Sequence, residues 1–158
     1  MPNYWMLVSS PENFERARAL GFSVLAMKSR HRKKAERVTP GDRVVFYTTG
    51  RQAFAGSFVV TGHYFEDHSP LFQSKKDGEE YPYRFPVQPE VILPPEDFPL
   101  AQDLLPALDF VKKWPAEHWH LAFQGNVHPL SEADFATIEA ALRAHLPERV
   151  SPNGKLNS

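Results

Sequence analysis

The order of apolar and polar positions along this chain marks out a series of elements. Residues Asn3 to Val8 form an apolar, aromatic run suited to a buried strand, and it breaks at Ser9-Ser10-Pro11. A helix is expected to start there. Ser10 can cap it, Pro11 fits the first turn because its missing N–H has no partner in any case, and Phe14, Ala17 and Leu20 share one face. Gly21 then supplies the left-handed stop. Phe22 to Met27 is apolar and gives way to a basic run, read as an exposed loop with a short helical turn. Thr39-Pro40-Gly41-Asp42 is a turn, and Arg43 to Thr48 is the clearest strand in the chain. Ala53 to Tyr64 is a second strand that completes a hairpin around Gly50, with Gly56 admitting a bulge or a close approach.

Gln73 to Glu80 is polar and turn-like. Tyr83, Phe85, Val87, Val91 and Leu93 then alternate with polar residues as in a long half-exposed strand, which Pro86 and Pro89 assign to a sheet edge or a bulge. Prolines recur from Pro94 to Leu108, leaving room only for a short helix around Leu108 to Lys113. Trp119 to Val127 reads as a returning strand. Ser131 caps a last helix in which Phe135, Ile138, Leu142 and Leu146 follow helical spacing, with Glu132 and Asp134 in the first turn and Pro147 as the stop. Strands in the middle and helices at the flanks predict an α+β fold around a curled, mostly antiparallel sheet or open barrel. One domain is expected over residues 1–150, followed by a loose polar tail over 151–158.

Composition narrows the function more than the fold. The chain has no cysteine, which excludes disulfides, thiol catalysis, zinc–thiolate sites and iron–sulfur clusters. No stretch approaches the roughly 18 apolar residues of a membrane span, and Met1 to Ser10 carries no basic leader, so a cytoplasmic chain without a membrane partner is expected. With 18 Lys and Arg against 19 Asp and Glu, the net charge of −1 argues against coating nucleic acid by bulk electrostatics. Charge is nonetheless concentrated: Lys28, Arg30, Arg32, Lys33, Lys34 and Arg37 share their segment with a single acid, Glu36.

Catalytic signatures are missing. There is no Gly-x-Ser-x-Gly turn, so Ser9, Ser10 and Ser29 read as caps or loop residues, and no glycine-rich phosphate cradle occurs. His118-x-His120 on a strand would bring two imidazoles to one face with Glu117 on the other, short of the three ligands a metal site needs. No catalytic residue, metal or cofactor is therefore assigned. The positive signal is the basic segment together with abundant aromatics, among them Trp5, Tyr47, Phe54, Trp119 and Phe123. An aromatic slot rimmed by Lys and Arg is what a splayed base needs: stacking contributes roughly 1–3 kcal/mol per base, and cations hold the flanking phosphates.

Several motifs, in order, resemble the EVE domain family. They are Tyr4-Trp5-Met6-Leu7-Val8-Ser9-Ser10-Pro11, Met27-Lys28-Ser29-Arg30, Pro40 to Asp42 followed by Val44-Val45-Phe46-Tyr47, and Phe54-Ala55-Gly56. The resemblance continues through Tyr81-Pro82-Tyr83-Arg84, Trp119 and Gly125 to Leu130-Ser131-Glu132-Ala133-Asp134-Phe135. That family is PUA-like and related to the YTH domains that read methylated adenine in RNA. The resemblance implies a curled, mostly antiparallel β-barrel with peripheral helices and a pocket between the first strand, the loop after the first helix and the barrel mouth. It implies Ser9, Ser10 and Asn13 as readers of a base edge, and Lys28, Ser29 and Arg30 as the pocket-side loop. Tyr47 and Gln124 fall at the mouth, and Trp5 faces either the pocket or the core. Phe22-Ser23 stands where the YTH relatives carry a cage tryptophan, so the resemblance does not extend to a complete methyl-adenine cage.

Two functions follow as expectations. The first is non-catalytic binding of a modified nucleobase in single-stranded or base-extruded DNA or RNA, with Lys28, Arg30, Arg32 and Lys33 on the phosphates. The second is binding of a free small molecule, such as a nucleoside, a nucleotide or another metabolite, in the same pocket. A third, a metal-dependent hydrolase using His118 and His120, rests on that histidine pair alone.

Overall fold

The computed structural model describes residues 2–74 and 78–146, together with the backbone of 149–150 and 156–157. A seven-stranded mixed sheet forms the centre. Its strands are β1 (Tyr4–Ser9), β2 (Val24–Met27), β3 (Arg43–Thr48), β4 (Ala53–Val60), β5 (Phe65–Glu66), β6 (Tyr83–Ile92) and β7 (Val127–Leu130), in the order β2-β6-β4-β3-β1-β7 with β5 paired to β6. Only β1 and β3 run parallel; every other pair in this sheet is antiparallel.

Strand alternation divides the interior into two cores. Trp5, Leu7, Val44 and Phe46 point to one side, where Phe14 and Ala17 of helix α1 (Pro11–Ala19) cover them. Met6, Val8, Val45 and Tyr47 point to the other, against Phe135, Ile138 and Leu142 of the last helix, α4 (Glu132–Ala144). A period of two along each central strand thus feeds both layers, which is why these strands read as continuous apolar runs.

The sheet curls at two register shifts, one where Phe46 and Tyr47 face Gly56 and Phe54, the other where Ser57 and Phe58 face Val91 and Pro89. At Gly56 a Cβ would lie 2.6 Å from the Val91 carbonyl oxygen, so the strands approach there as only glycine allows. Curling brings the end strands β2 and β7 towards each other without pairing them. Asn126 spans the seam: its Oδ1 accepts from the Lys28 N–H just past β2 (2.8 Å), and its Nδ2 donates to the Val8 carbonyl of β1 (3.0 Å).

Ser10 caps α1 by accepting from the Asn13 N–H, Ser131 caps α4 in the same way through Asp134, and Gly21 adopts φ +68°. Several expectations are corrected. Val24–Met27 supplies the end strand β2, and the helical turn expected in the basic run is present and longer than read, a 3-10 turn at Ser29–His31 followed by α2 (Arg32–Ala35), anchored by fully buried Ala35. The second hairpin strand ends at Val60 rather than Tyr64. Of the two alternatives for β6, an edge or a bulged strand, the structure shows the second: β6 lies inside the sheet and Pro89 sits at a bulge opposite Phe58, while Pro86 pairs with Val24 of β2. The proline-rich stretch makes α3 (Ala101–Leu104) and several 3-10 turns, two of which, Pro95–Asp97 and Leu105–Ala107, carry proline in the first turn, where its missing N–H has no partner to lose.

Trp119 to Val127 is not a strand. Residues Ala116–Phe123 form two 3-10 turns that meet at a kink at His118, and β7 begins only at Val127, after Gly125 turns the chain at φ +90°. α4 ends at Ala144, leaving Leu146 39% exposed rather than packed. The expected stop at Pro147 and most of the loose tail lie outside the described residues; within them, β8 (Arg149–Val150) pairs with β9 (Leu156–Asn157).

Candidate functional site

A cleft of about 370 Å³ opens at the seam, beyond the C-terminal ends of the parallel strands β1 and β3. Its size lies in the range of small-ligand pockets, roughly 300–1,000 Å³. β1 and its exit deliver Val8, Ser9 and Ser10; the exit of β3 delivers Thr49. Lys28 and Arg30 come from the end of β2, and Gln124, Gly125 and Asn126 from the turn before β7. An arm that crosses from β5 to β6 closes the far side with Gln73, Ser74, Glu79 and Tyr81.

Asn13 holds that arm in place. Its Oδ1 accepts from the Gln73 N–H (2.9 Å), and its Nδ2 donates to the Gln73 carbonyl (2.9 Å) and to Ser9 Oγ (2.9 Å). The amide is 2% exposed and also accepts from Arg16 (3.2 Å), so it braces the wall and does not face the cleft. On its outer side the arm is fixed by buried Arg84, which donates to Ser69 Oγ, the Ser69 carbonyl and the Tyr81 carbonyl.

Electrostatically, one carboxylate in the cleft faces two cations. Lys28 Nζ lies 3.2 Å from Glu79 Oε1 and 5.7 Å from the Tyr81 ring centroid, and Arg30 Nη1 lies 3.7 Å from Glu79 Oε2. Ser74 Oγ also donates to Glu79. On the outer rim of the seam, Lys34 Nζ donates to the Val127 carbonyl (3.0 Å) and His128 Nε2 to the Gln124 carbonyl. Burial, then the charges of Lys34, Arg30, His128 and Lys28, lower the His31 pKa from 6.5 to about 4. His31 therefore stays neutral, consistent with Nε2 accepting from Arg30 Nε at 3.3 Å.

The other expected residues are placed as follows. Ser9, Ser10, Lys28, Arg30 and Gln124 converge on the cleft. Trp5 is 1% exposed and faces the core, where Nε1 donates to Asp42 Oδ2 (3.1 Å). Tyr47 is buried in the second core, stacked on Phe123 with centroids 4.5 Å apart, and burial pushes its phenol up to about 12. It supports the cleft only through Phe123, which does line it. Ser29 is exposed beside the cleft, its N–H donating to the Glu80 carbonyl (3.2 Å). Arg32 and Lys33 lie on the exposed side of α2, Arg32 with Glu36 at 3.3 Å, and neither lines the cleft.

Sequence reasoning did not single out Thr49, Glu79, Tyr81 or Asn126 as site residues. For Asn126 a signal was present: Gly125-Asn126 breaks an otherwise apolar stretch and marks a turn. His118 and His120 are exposed on the 3-10 segment with ring centroids 6.3 Å apart. Among the described residues no group of three or more His, Cys, Asp or Glu is arranged to hold a metal. No described helix is long and apolar enough to cross a membrane.

A curled half-barrel of this strand order, with helices outside and a cleft at its seam, defines an α+β domain. The chain belongs to the EVE domain family, whose model matches residues 3–141. A UPF0310 protein of Pyrococcus horikoshii is 29% identical over 150 residues, covering 88% of this chain and 98% of the relative. Among solved structures, a hypothetical protein from Leishmania major superposes with TM-score 0.60 at 17% identity, covering 91% of this chain and 96% of that one. The YTH domain-containing protein Mmi1, solved in complex with RNA, superposes with TM-score 0.63 at 8% identity, covering 89% and 81%.

Proposed function

We propose that this domain binds nucleic acid and admits one nucleobase, extruded or already unpaired, into the seam cleft without transforming it. The observation that carries the proposal is convergence. Ser9, Ser10 and Gln124 offer hydrogen bonds in a cleft that Tyr81 and Phe123 line and Lys28 and Arg30 rim. In this reading Ser9, Ser10 and Gln124 meet the base edge, Lys28 stands beside it, and Arg30, Arg32 and Lys33 hold flanking phosphates. The shared fold of an RNA-bound YTH domain supports a nucleic-acid partner at that coarse level. A modified base as the preferred guest, and a cytoplasmic setting, belong to the same proposal.

Single strands should bind more tightly than duplex, because extrusion costs a few kcal/mol of unstacking and unpairing. The test is fluorescence anisotropy with labelled oligonucleotides identical but for one base or its modification, in single-stranded and duplex form. Preference for one modification in single strands is the expected result. Glu79 offsets one of the two cations of the cleft, and the chain as a whole carries a net charge of only −1, which favours free small molecules as the second reading. A free nucleoside binding as tightly as the same base within a strand would establish that reading over the first.

A further inference from the structure

Outside the cleft, on the outer rim of the seam, cations gather without a carboxylate among them. Lys34 of α2 reaches across the seam and gives one of its three N–H groups to the Val127 carbonyl (3.0 Å). His31 ends the 3-10 turn before α2, and His128 stands on β7 at the far side; all three residues are half-buried. His31 feels the charges of Lys34, Arg30, His128 and Lys28, Lys34 feels those of Arg37 and Arg30, and His128 feels Lys34. No acid belongs to that set. Glu79 meets Lys28 (3.2 Å) and Arg30 (3.7 Å) on the cleft side, and Glu36 pairs with Arg32 (3.3 Å); among the described residues no carboxylate pairs with His31, Lys34 or His128. Half-buried like charges call for a counter-ion.

We propose that this rim is a phosphate site, in which Arg30, Lys34 and the imidazoles of His31 and His128 grip one phosphate group, and that His31 takes a proton from solvent as the phosphate binds. Of these four residues only Arg30 also lines the cleft, so the site goes beyond the nucleobase reading and does not depend on it. Without a ligand, His31 Nε2 accepts from Arg30 Nε (3.3 Å), which requires that nitrogen to be unprotonated. A phosphate between Arg30, His31 and Lys34 offers an oxygen to each. The proton gained at Nε2 turns that nitrogen into a donor, and Arg30 Nε exchanges the imidazole for a phosphate oxygen. An opposite charge within about 4–6 Å shifts a pKa by roughly 1–3 towards the charged form, against the burial and the cations that hold His31 neutral in the free domain.

The test follows the imidazole resonances of the full chain by NMR through pH titrations at equal ionic strength in three solutions: sodium chloride alone, with inorganic phosphate, and with a single-stranded oligothymidylate. The His31 midpoint, about 4 without ligand, is expected to rise by about 1 or more with at least one of the two phosphate sources. A rise with the strand assigns the site to its backbone; a rise with inorganic phosphate alone assigns it to the free ion. Lys34→Gln should remove most of that rise. His68, held on the arm between Glu66 and Glu80, should move little. A His31 midpoint unmoved by either source, an equal rise at His68, or a rise undiminished in Lys34→Gln overturns the site. Anisotropy reports strand binding separately. A strand that binds while neither source moves His31 overturns this site and leaves the nucleobase reading intact, and inorganic phosphate that raises the midpoint where no strand binds does the reverse.

Discussion

Lys28 and Asn126, 98 residues apart in sequence, are joined by a 2.8 Å hydrogen bond from the Lys28 backbone N–H to the Asn126 side chain. That bond crosses the gap between the sheet's end strands, and the cleft opens beside it. Asn126 is 2% exposed, and its removal strands both the Lys28 N–H and the Val8 carbonyl. Asn126→Ala should lower unfolding stability by about 2–4 kcal/mol, since an unsatisfied buried group costs roughly 1–3 kcal/mol. Urea denaturation followed by circular dichroism measures it. A loss below about 0.5 kcal/mol would mean that the seam is held by other contacts.

Asn13 makes a different claim on the cleft, because it braces the arm without lining it. Asn13→Ala removes two hydrogen bonds to the Gln73 backbone and one to Ser9. The arm should then open more often than the sheet unfolds, a local rather than global change. Amide hydrogen exchange is expected to accelerate in residues 71–74 by more than in β1 or β3. Uniform acceleration across the sheet would count against a bracing role.

Much of this architecture was legible in the sequence because its signals are local. The cap at Ser10, the positive-φ Gly21 and the turn before β3 each depend on residues within one turn of chain. Trp119 to Val127 misled because apolar residues pack equally well on a 3-10 segment, and Pro115 favours a helical start. The cleft was half legible. Ser9, Ser10 and Lys28 leave strands whose ends are readable. Glu79 joins Lys28 only because the arm folds back, and no spacing rule links residues 51 apart. Asn13 shows the opposite failure: its position was read correctly, and its amide is turned to the Gln73 backbone instead of the cleft.

Two histidines should move stability in opposite directions with pH. His31 has its folded pKa depressed to about 4 by burial first and neighbouring cations next. The unfolded chain binds the proton more readily between that value and 6.5, so stability present above 6.5 declines as pH falls through this window. His68 is the reverse case: hydrogen bonds to Glu66 (2.8 Å) and Glu80 (2.7 Å) raise its pKa. Its contribution is complete below 6.5 and fades as pH rises through the elevated folded value. NMR titration of the imidazole resonances should place the two on either side of 6.5. Coincident midpoints would show that neither environment persists in solution.

The cations around the cleft should separate by their effect on salt dependence. Lys28 is 18% exposed and held at 3.2 Å from Glu79, so its ammonium already has a counter-ion and little atmosphere to release. Arg30 is 50% exposed and lies farther from the same carboxylate, at 3.7 Å, while Arg32 and Lys33 are exposed on α2. Each phosphate contact to a single strand contributes about 0.7 to the slope of log affinity against log salt. Replacing Arg30, Arg32 and Lys33 together by alanine should flatten that slope by about 2 and weaken binding similarly for all sequences. Lys28→Ala should leave the slope nearly unchanged, because its ammonium is already paired with Glu79. These outcomes are read from titrations at several salt concentrations with one oligonucleotide. If Lys28→Ala flattened the slope as much as the triple replacement, the backbone would have to enter the cleft and displace Glu79, and the inward orientation of the base would be wrong.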